Sequence, residues 1–182
     1  MSFEKLIKTV RKKRLFVPGN TTRRVEFGPT AIERILPQRP PFLFIDLISA
    51  VDLEEQAAIG HSDIDPEDPN LAGHFPGDPV YPGVLLIETM AQLGICLHHF
   101  HATGCVEIQP SDKPPRPRLL KVHHALFMGE VRPGHRLKVI SKIVEDNGYT
   151  AVLAGQVFRE GTICAVAILE AILLAEPGGE GL

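Results

Sequence analysis

The run from Val84 to Leu97 limits what this chain can fold into more than any other stretch, because only Glu88, Thr89, Gln92 and Gly94 stand outside the strongly apolar set. A helix that is apolar on every side has to be enclosed, so the rest of the chain must supply the layers that cover it. Pro82-Gly83 sets its start, since proline suits a first turn, where its missing N–H is no loss. The preceding segment cannot be helical. Pro76, Pro79 and Pro82 withdraw amide donors, and Gly73, Gly77 and Gly83 permit backbone conformations that other residues avoid.

Glu88 is the one carboxylate in the apolar run. Apolar surroundings disfavour the charged form of a carboxylate and suit it to exchanging a proton near neutral pH. The alternative is that Glu88 faces a wet edge of the helix or pairs with an arginine or lysine. His74, in the stiffened loop just upstream, supplies the second half of an acid/base pair. It could equally be a local hydrogen-bonding group.

Gly73-His74-Phe75-Pro76-Gly77, then Pro82-Gly83-Val84-Leu85, then Glu88 and Met90-Ala91-Gln92 resemble the signature of the (3R)-hydroxyacyl-acyl carrier protein dehydratases of fatty acid synthesis. Upstream, Leu36-Pro37-Gln38-Arg39-Pro40-Pro41-Phe42-Leu43-Phe44-Ile45-Asp46 resembles the first block of the same family, at the expected distance. The similarity runs from about Thr30 to about Ala175. Two separated motifs in the right order constrain far more than either alone.

The resemblance implies an α+β hot-dog fold, in which an antiparallel sheet wraps a long central helix. It also implies a homodimer with shared active sites, leaving open a hexamer built as a trimer of dimers. By position, His74 is the catalytic histidine and Glu88 the catalytic carboxylate, contributed to one site by different subunits. Gly83 matches the residue whose backbone N–H holds the thioester carbonyl. A helix N-terminus, with unpaired N–H groups and a positive dipole end, suits an oxygen that gains charge as the α-carbon loses its proton. The expected reaction is cofactor-free loss of water from a (3R)-hydroxyacyl thioester of acyl carrier protein or coenzyme A. His74 takes the α-proton, and Glu88, directly or through a water, protonates the departing hydroxyl. Phe42 and Leu85 are expected in the acyl tunnel.

With 182 residues and a formal charge of −3, the chain suits one domain with a sizeable core. It lacks the basic excess of a nucleic-acid binder. Cys96, Cys105 and Cys164 have no metal-type spacing, and no apolar leader opens the sequence, which favours a reducing, cytoplasmic setting. Glu88 and Gln92 interrupt the longest candidate for a membrane span, so none is expected. Residues 1–29 are assigned as an N-terminal basic extension, residues 30–176 as the hot-dog domain and residues 177–182 as a loose tail. Within the extension, Lys5, Lys8, Arg11, Lys12, Lys13 and Arg14 alternate with Phe3, Leu6, Ile7, Val10 and Leu15, suggesting a short basic amphipathic helix. Such a helix is either a solvated arm or a docking surface for an acidic carrier protein or a membrane surface.

A short helix is expected over Ala31 to Leu36 with Thr30 as N-cap, a strand over Phe42 to Ile48, and a hairpin extension over Val51 to Ile59. His61 to Asn70 reads as a solvated acidic loop, its spacing matching no calcium loop. His98, His99 and His101 point to different helix faces, so they are read as a fraying polar end and not as a metal site. Gln109 to Arg118 is a proline-rich basic connector, either a carrier contact or a plain linker. Leu120 to Phe127, Arg136 to Val144, Thr150 to Arg159 and Thr162 to Leu174 read as strands, with Asn147-Gly148 and Glu160-Gly161 as hairpin turns.

The chain departs from the family pattern in places. Gln38 stands where the family usually has histidine, and Pro40 where it usually has tyrosine. Phe127-Met128-Gly129-Glu130 lacks the arginine and lysine often found before the Pro-Gly turn. Glu at 88 fits the dehydratase-only branch, whereas Asp78-Pro79-Val80 is reminiscent of the branch that also isomerises the double bond. Two other functions fit the same scaffold: a hot-dog thioesterase with Glu88 activating water, and a non-catalytic acyl-carrier-binding protein.

Overall fold

A computed structural model of the chain describes residues 2–69, 71 and 73–174; the expected tail lies outside the described residues. In chain order the elements are α1 (Phe3–Val10), β1 (Arg23–Phe27), α2 (Pro29–Ile35), β2 (Leu47–Asp52), β3 (Ala57–Asp63), α3 (Gly83–Thr103), β4 (Arg116–Phe127), β5 (Arg136–Asp146), β6 (Thr150–Arg159) and β7 (Thr162–Leu174). The strands form one sheet in the order β1-β2-β3-β5-β6-β7-β4, every neighbouring pair antiparallel. The sheet wraps α3, whose Leu86, Met90, Leu93, Leu97 and Phe100 share one core with Ile48, Val139 and Leu169. This is the hot-dog arrangement. Against expectation, α3 is long and apolar enough to cross a membrane by length and composition alone; half of that window is buried inside the fold.

Gly104, at φ 63°, closes α3 in the left-handed conformation typical of a C-cap. The histidines before it are not a frayed end. His98 lies 3.3 Å from Asp146 and His99 3.4 Å from Asp112, and burial lowers the pKa of both imidazoles.

Three local expectations are corrected. The segment before β2 is not a strand until Leu47, because the side chain of Gln92 takes the peptide groups that a ladder would use: Phe44 N–H donates to its Oε1 at 2.8 Å, and its Nε2 donates to Phe42 O at 2.9 Å. The N-cap of α2 is Gly28, with Pro29 in the first turn and no side-chain cap, so Thr30 lies inside the helix. β4 begins at Arg116, which makes Arg116 and Arg118 strand residues and shortens the connector.

No break in packing follows residue 29. Along β6, Val152 and Ala154 alternate with core-facing Leu153, so they point to the sheet face away from α3. There they meet Leu6, Ile7 and Val10 of α1, while Phe16 joins Ala50, Ile59, Ile140 and Phe158. The buried Gln156 accepts from Leu15 N–H at 2.6 Å and donates to the carbonyls of Val10 and, at 2.8 Å, Lys13. The basic side chains of the amphipathic pattern are left outward.

Asp52 anchors the same segment. It is fully buried and accepts from the hydroxyls of Thr21 and Thr22, each at 2.7 Å, and from Glu55 N–H at 2.9 Å. Burial pushes its pKa up, but these bonds outweigh it and leave the carboxyl below its usual range. A depressed folded-state pKa contributes stability above the unfolded-state pKa, and that contribution is lost as pH falls through the folded value. Asp52→Ala should therefore lower stability at pH 7 by about 1–3 kcal/mol and flatten the acid limb of the stability curve. Chemical denaturation between pH 7 and pH 3 reads both effects.

Candidate active site

The loop entering α3 holds His74 by its own backbone. His74 N–H donates to Leu71 O at 3.2 Å and Val80 N–H donates to His74 O at 2.8 Å. The imidazole Nδ1 lies 2.8 Å from Val80 O. A carbonyl only accepts, so Nδ1 carries a proton and Nε2 is the nitrogen left for exchange with a substrate. The loop is pinned to the β4–β5 connection: Arg132 meets Asp78 at 2.5 Å and Glu130 at 2.8 Å, and Tyr81 N–H donates to Val131 O at 2.7 Å. Hydrogen bonding from Arg132 holds the Asp78 carboxyl below its ordinary pKa. Burial pushes the Tyr81 hydroxyl well above its own, so the phenol stays protonated.

A cavity of about 500 Å³ opens between this loop, the start of α3 and the residues following β4; His74 and Gly83 both line it, beside apolar Val80, Val84, Leu86, Phe127 and Met128. Pro82 gives the first turn of α3 no side-chain acceptor, so the opening N–H groups of the helix keep their donor capacity. The Phe127 ring packs directly on Gly83. A Cβ there would lie 2.9 Å from Phe127 Cε1, so glycine is what lets the ring close over the helix end.

Glu88 is not among the residues lining this cavity. Its Oε1 accepts from Gln38 Nε2 at 2.9 Å and from Gln92 Nε2 at 3.0 Å, and among the described residues no arginine or lysine bridges it. Leu85 packs at the margin of the core. Phe42 is 48% exposed, its ring centroid 4.8 Å from that of Phe44. Neither lines the cavity. Within one chain the structure thus brings His74 and Gly83 to one cavity, and gathers Glu88, Gln38, Gln92 and the Phe42 backbone in a second cluster.

Several participants escaped the sequence reading. Gln92 sits one helical turn after Glu88, and that spacing could have marked it as the partner. Gln38 stood out as a departure, but nothing local indicated its bond to Glu88. Phe127 and Met128 come from the far end of β4, and only the folded sheet brings them to Gly83.

Residues 36–168 match the FabA-like domain. The 3-hydroxyacyl-[acyl-carrier-protein] dehydratase FabZ of Campylobacter jejuni (strain RM1221) is 36% identical over 143 residues, covering 79% of this chain and 94% of that protein. The FabZ of a Nitratiruptor species is 34% identical over 144 residues, covering 79% and 95%. Among solved structures, the dehydratase heterocomplex ApeI:P from Xenorhabdus doucetiae shares the fold, with a TM-score of 0.64 at 16% identity over 85% of this chain and 94% of that one. With a domain match that spans most of the sequence and relatives this similar over nearly their whole length, the chain belongs to the FabA-like family.

Proposed function

We propose that this chain removes water from (3R)-hydroxyacyl thioesters of acyl carrier protein, giving trans-2-enoyl thioesters in fatty acid or related lipid synthesis. The observation that carries this reading is the cavity lined both by His74, whose Nδ1 is held by Val80 O, and by Gly83 at the N-terminus of α3. His74 Nε2 takes the α-proton. Negative charge moves onto the thioester oxygen, which the Gly83 N–H and the positive end of the helix stabilise. Glu88, as the carboxylic acid, protonates the 3-hydroxyl as the carbon–oxygen bond breaks and water leaves. His74 then returns a proton to Glu88 through solvent, so no cofactor is consumed.

In this reading a homodimer completes the site, with Glu88 supplied by the partner subunit. Two features support it: Glu88 lies outside the cavity of its own chain, and β4, at the edge of the sheet, exposes Leu119, Leu120, Val122 and Phe127. Apolar side chains on a free strand edge suit pairing with a second chain. The chain's relatives are named for carrier-linked substrates, which favours acyl carrier protein over coenzyme A. Three free thiols suit the reducing cytoplasm.

The test is incubation with a (3R)-hydroxyacyl-acyl carrier protein while following enoyl absorbance and free thiol together. Enoyl product without thiol is expected. Thiol release without enoyl product would make the protein a thioesterase, and carrier binding with neither product would make it a binding module.

A further inference from the structure

The N-terminal segment does more than cover the outer face of the sheet. Beside it lies a cavity of about 290 Å³ that shares no lining residue with the one holding His74. Its floor is apolar, with buried Ile140 and Phe158, and its rim is cationic. Arg14 sits 5.8 Å above the Phe158 ring, and the charge of Lys138 is disfavoured first by burial and then by the nearby Arg14 and Arg24.

Arg136 is already matched by Asp63, at 2.7 and 2.8 Å. Among the described residues Arg14, Arg24 and Lys138 have no carboxylate partner. The carboxylate that lines the cavity is Glu160. Like charges gathered at a partly buried rim repel one another, and a bound anion turns that repulsion into attraction. The volume lies at the small end of ligand sites, with room for a short hydrocarbon tail on the floor.

We infer that this outer cavity binds a single-chain amphiphilic carboxylate, its head between Arg14 and Lys138 and its tail on Ile140 and Phe158. The site is independent of the proposed dehydratase reaction and stands or falls without it.

Octanoate is the probe, titrated into the full chain by calorimetry and by NMR. One equivalent per chain is expected to bind, with shifts centred on His61, Lys138 and Phe158 and not on His74 or Met128. Acetate, which has no tail, and octanol, which has no charge, should each bind at least tenfold more weakly. The double variant Arg14→Gln/Lys138→Gln should lose at least tenfold in octanoate affinity with dehydration unchanged. Glu160→Gln, which removes the opposing charge, should bind several-fold more tightly. Octanoate binding that survives the double variant, acetate binding as well as octanoate, or shifts centred on His74 would each overturn the assignment.

Discussion

Two inactive variants should regain activity when their subunits are mixed. His74→Ala removes the base, and Glu88→Gln removes the acid while keeping an oxygen that can accept from Gln38 and Gln92. Each alone should lower turnover at least about a hundredfold, the usual cost of losing a general acid or base. If each site combines His74 of one subunit with Glu88 of the other, a mixed dimer carries one site with both defects and one with neither. Random assortment makes half the dimers mixed, so roughly a quarter of wild-type activity should return in the unsorted sample and about half in isolated mixed dimers, under the two-fold symmetry of such an assembly. The measurement is enoyl formation after co-expression of differently tagged variants, with sequential affinity steps to isolate the mixed species. Activity no higher than that of either parent would place both residues in one chain's site and refute the shared-site reading.

The parts of this molecule legible in the sequence are those whose cause is local. The enclosed helix followed from a run with almost no polar face, and the β5–β6 and β6–β7 hairpins followed from Asn147-Gly148 and Glu160-Gly161, whose glycines take positive φ. Other features depended on distant residues. Phe42 to Asp46 has the composition of a strand, yet Gln92 on α3 captures its peptide groups. The basic N-terminal helix reads as amphipathic either way, and residues far along the chain, Val152, Ala154 and Gln156 on β6, decide that it lies down on the sheet. The candidate site divides in the same way. The His74 loop and Gly83 were visible as a motif, whereas the ring of Phe127 over Gly83 and the amide of Gln38 on Glu88 required the folded sheet.

The contact between α3 and the sheet gives the second large effect, and its size depends on which atoms a new methyl group meets. Gly155 on β6 lies under α3, where an added Cβ would sit 2.6 Å from Met90 Cβ and 2.7 Å from its Sδ. Met90 is 1% exposed and its Cβ is fixed to the helix backbone, so relief requires moving α3 itself. Gly155→Ala should therefore reach the upper end of overpacking costs, about 3 kcal/mol, or a fall of roughly 6–12 °C in Tm for a chain of this size. Gly94 is the contrasting case. Its added Cβ would overlap the Cδ1 of Leu153, the far end of a flexible side chain, and alanine in the middle of a helix recovers up to about 1 kcal/mol of intrinsic propensity. Gly94→Ala should cost less than Gly155→Ala. Adding Leu153→Ala to Gly94→Ala should restore part of the volume match, giving a double-mutant cycle with favourable coupling, whereas Met90→Ala should not rescue Gly155→Ala because the obstructing Cβ remains. Thermal and denaturant unfolding of the single and double variants measures both terms. Equal costs at positions 94 and 155, with no coupling to Leu153, would mean that the closeness of helix and sheet does not limit stability here.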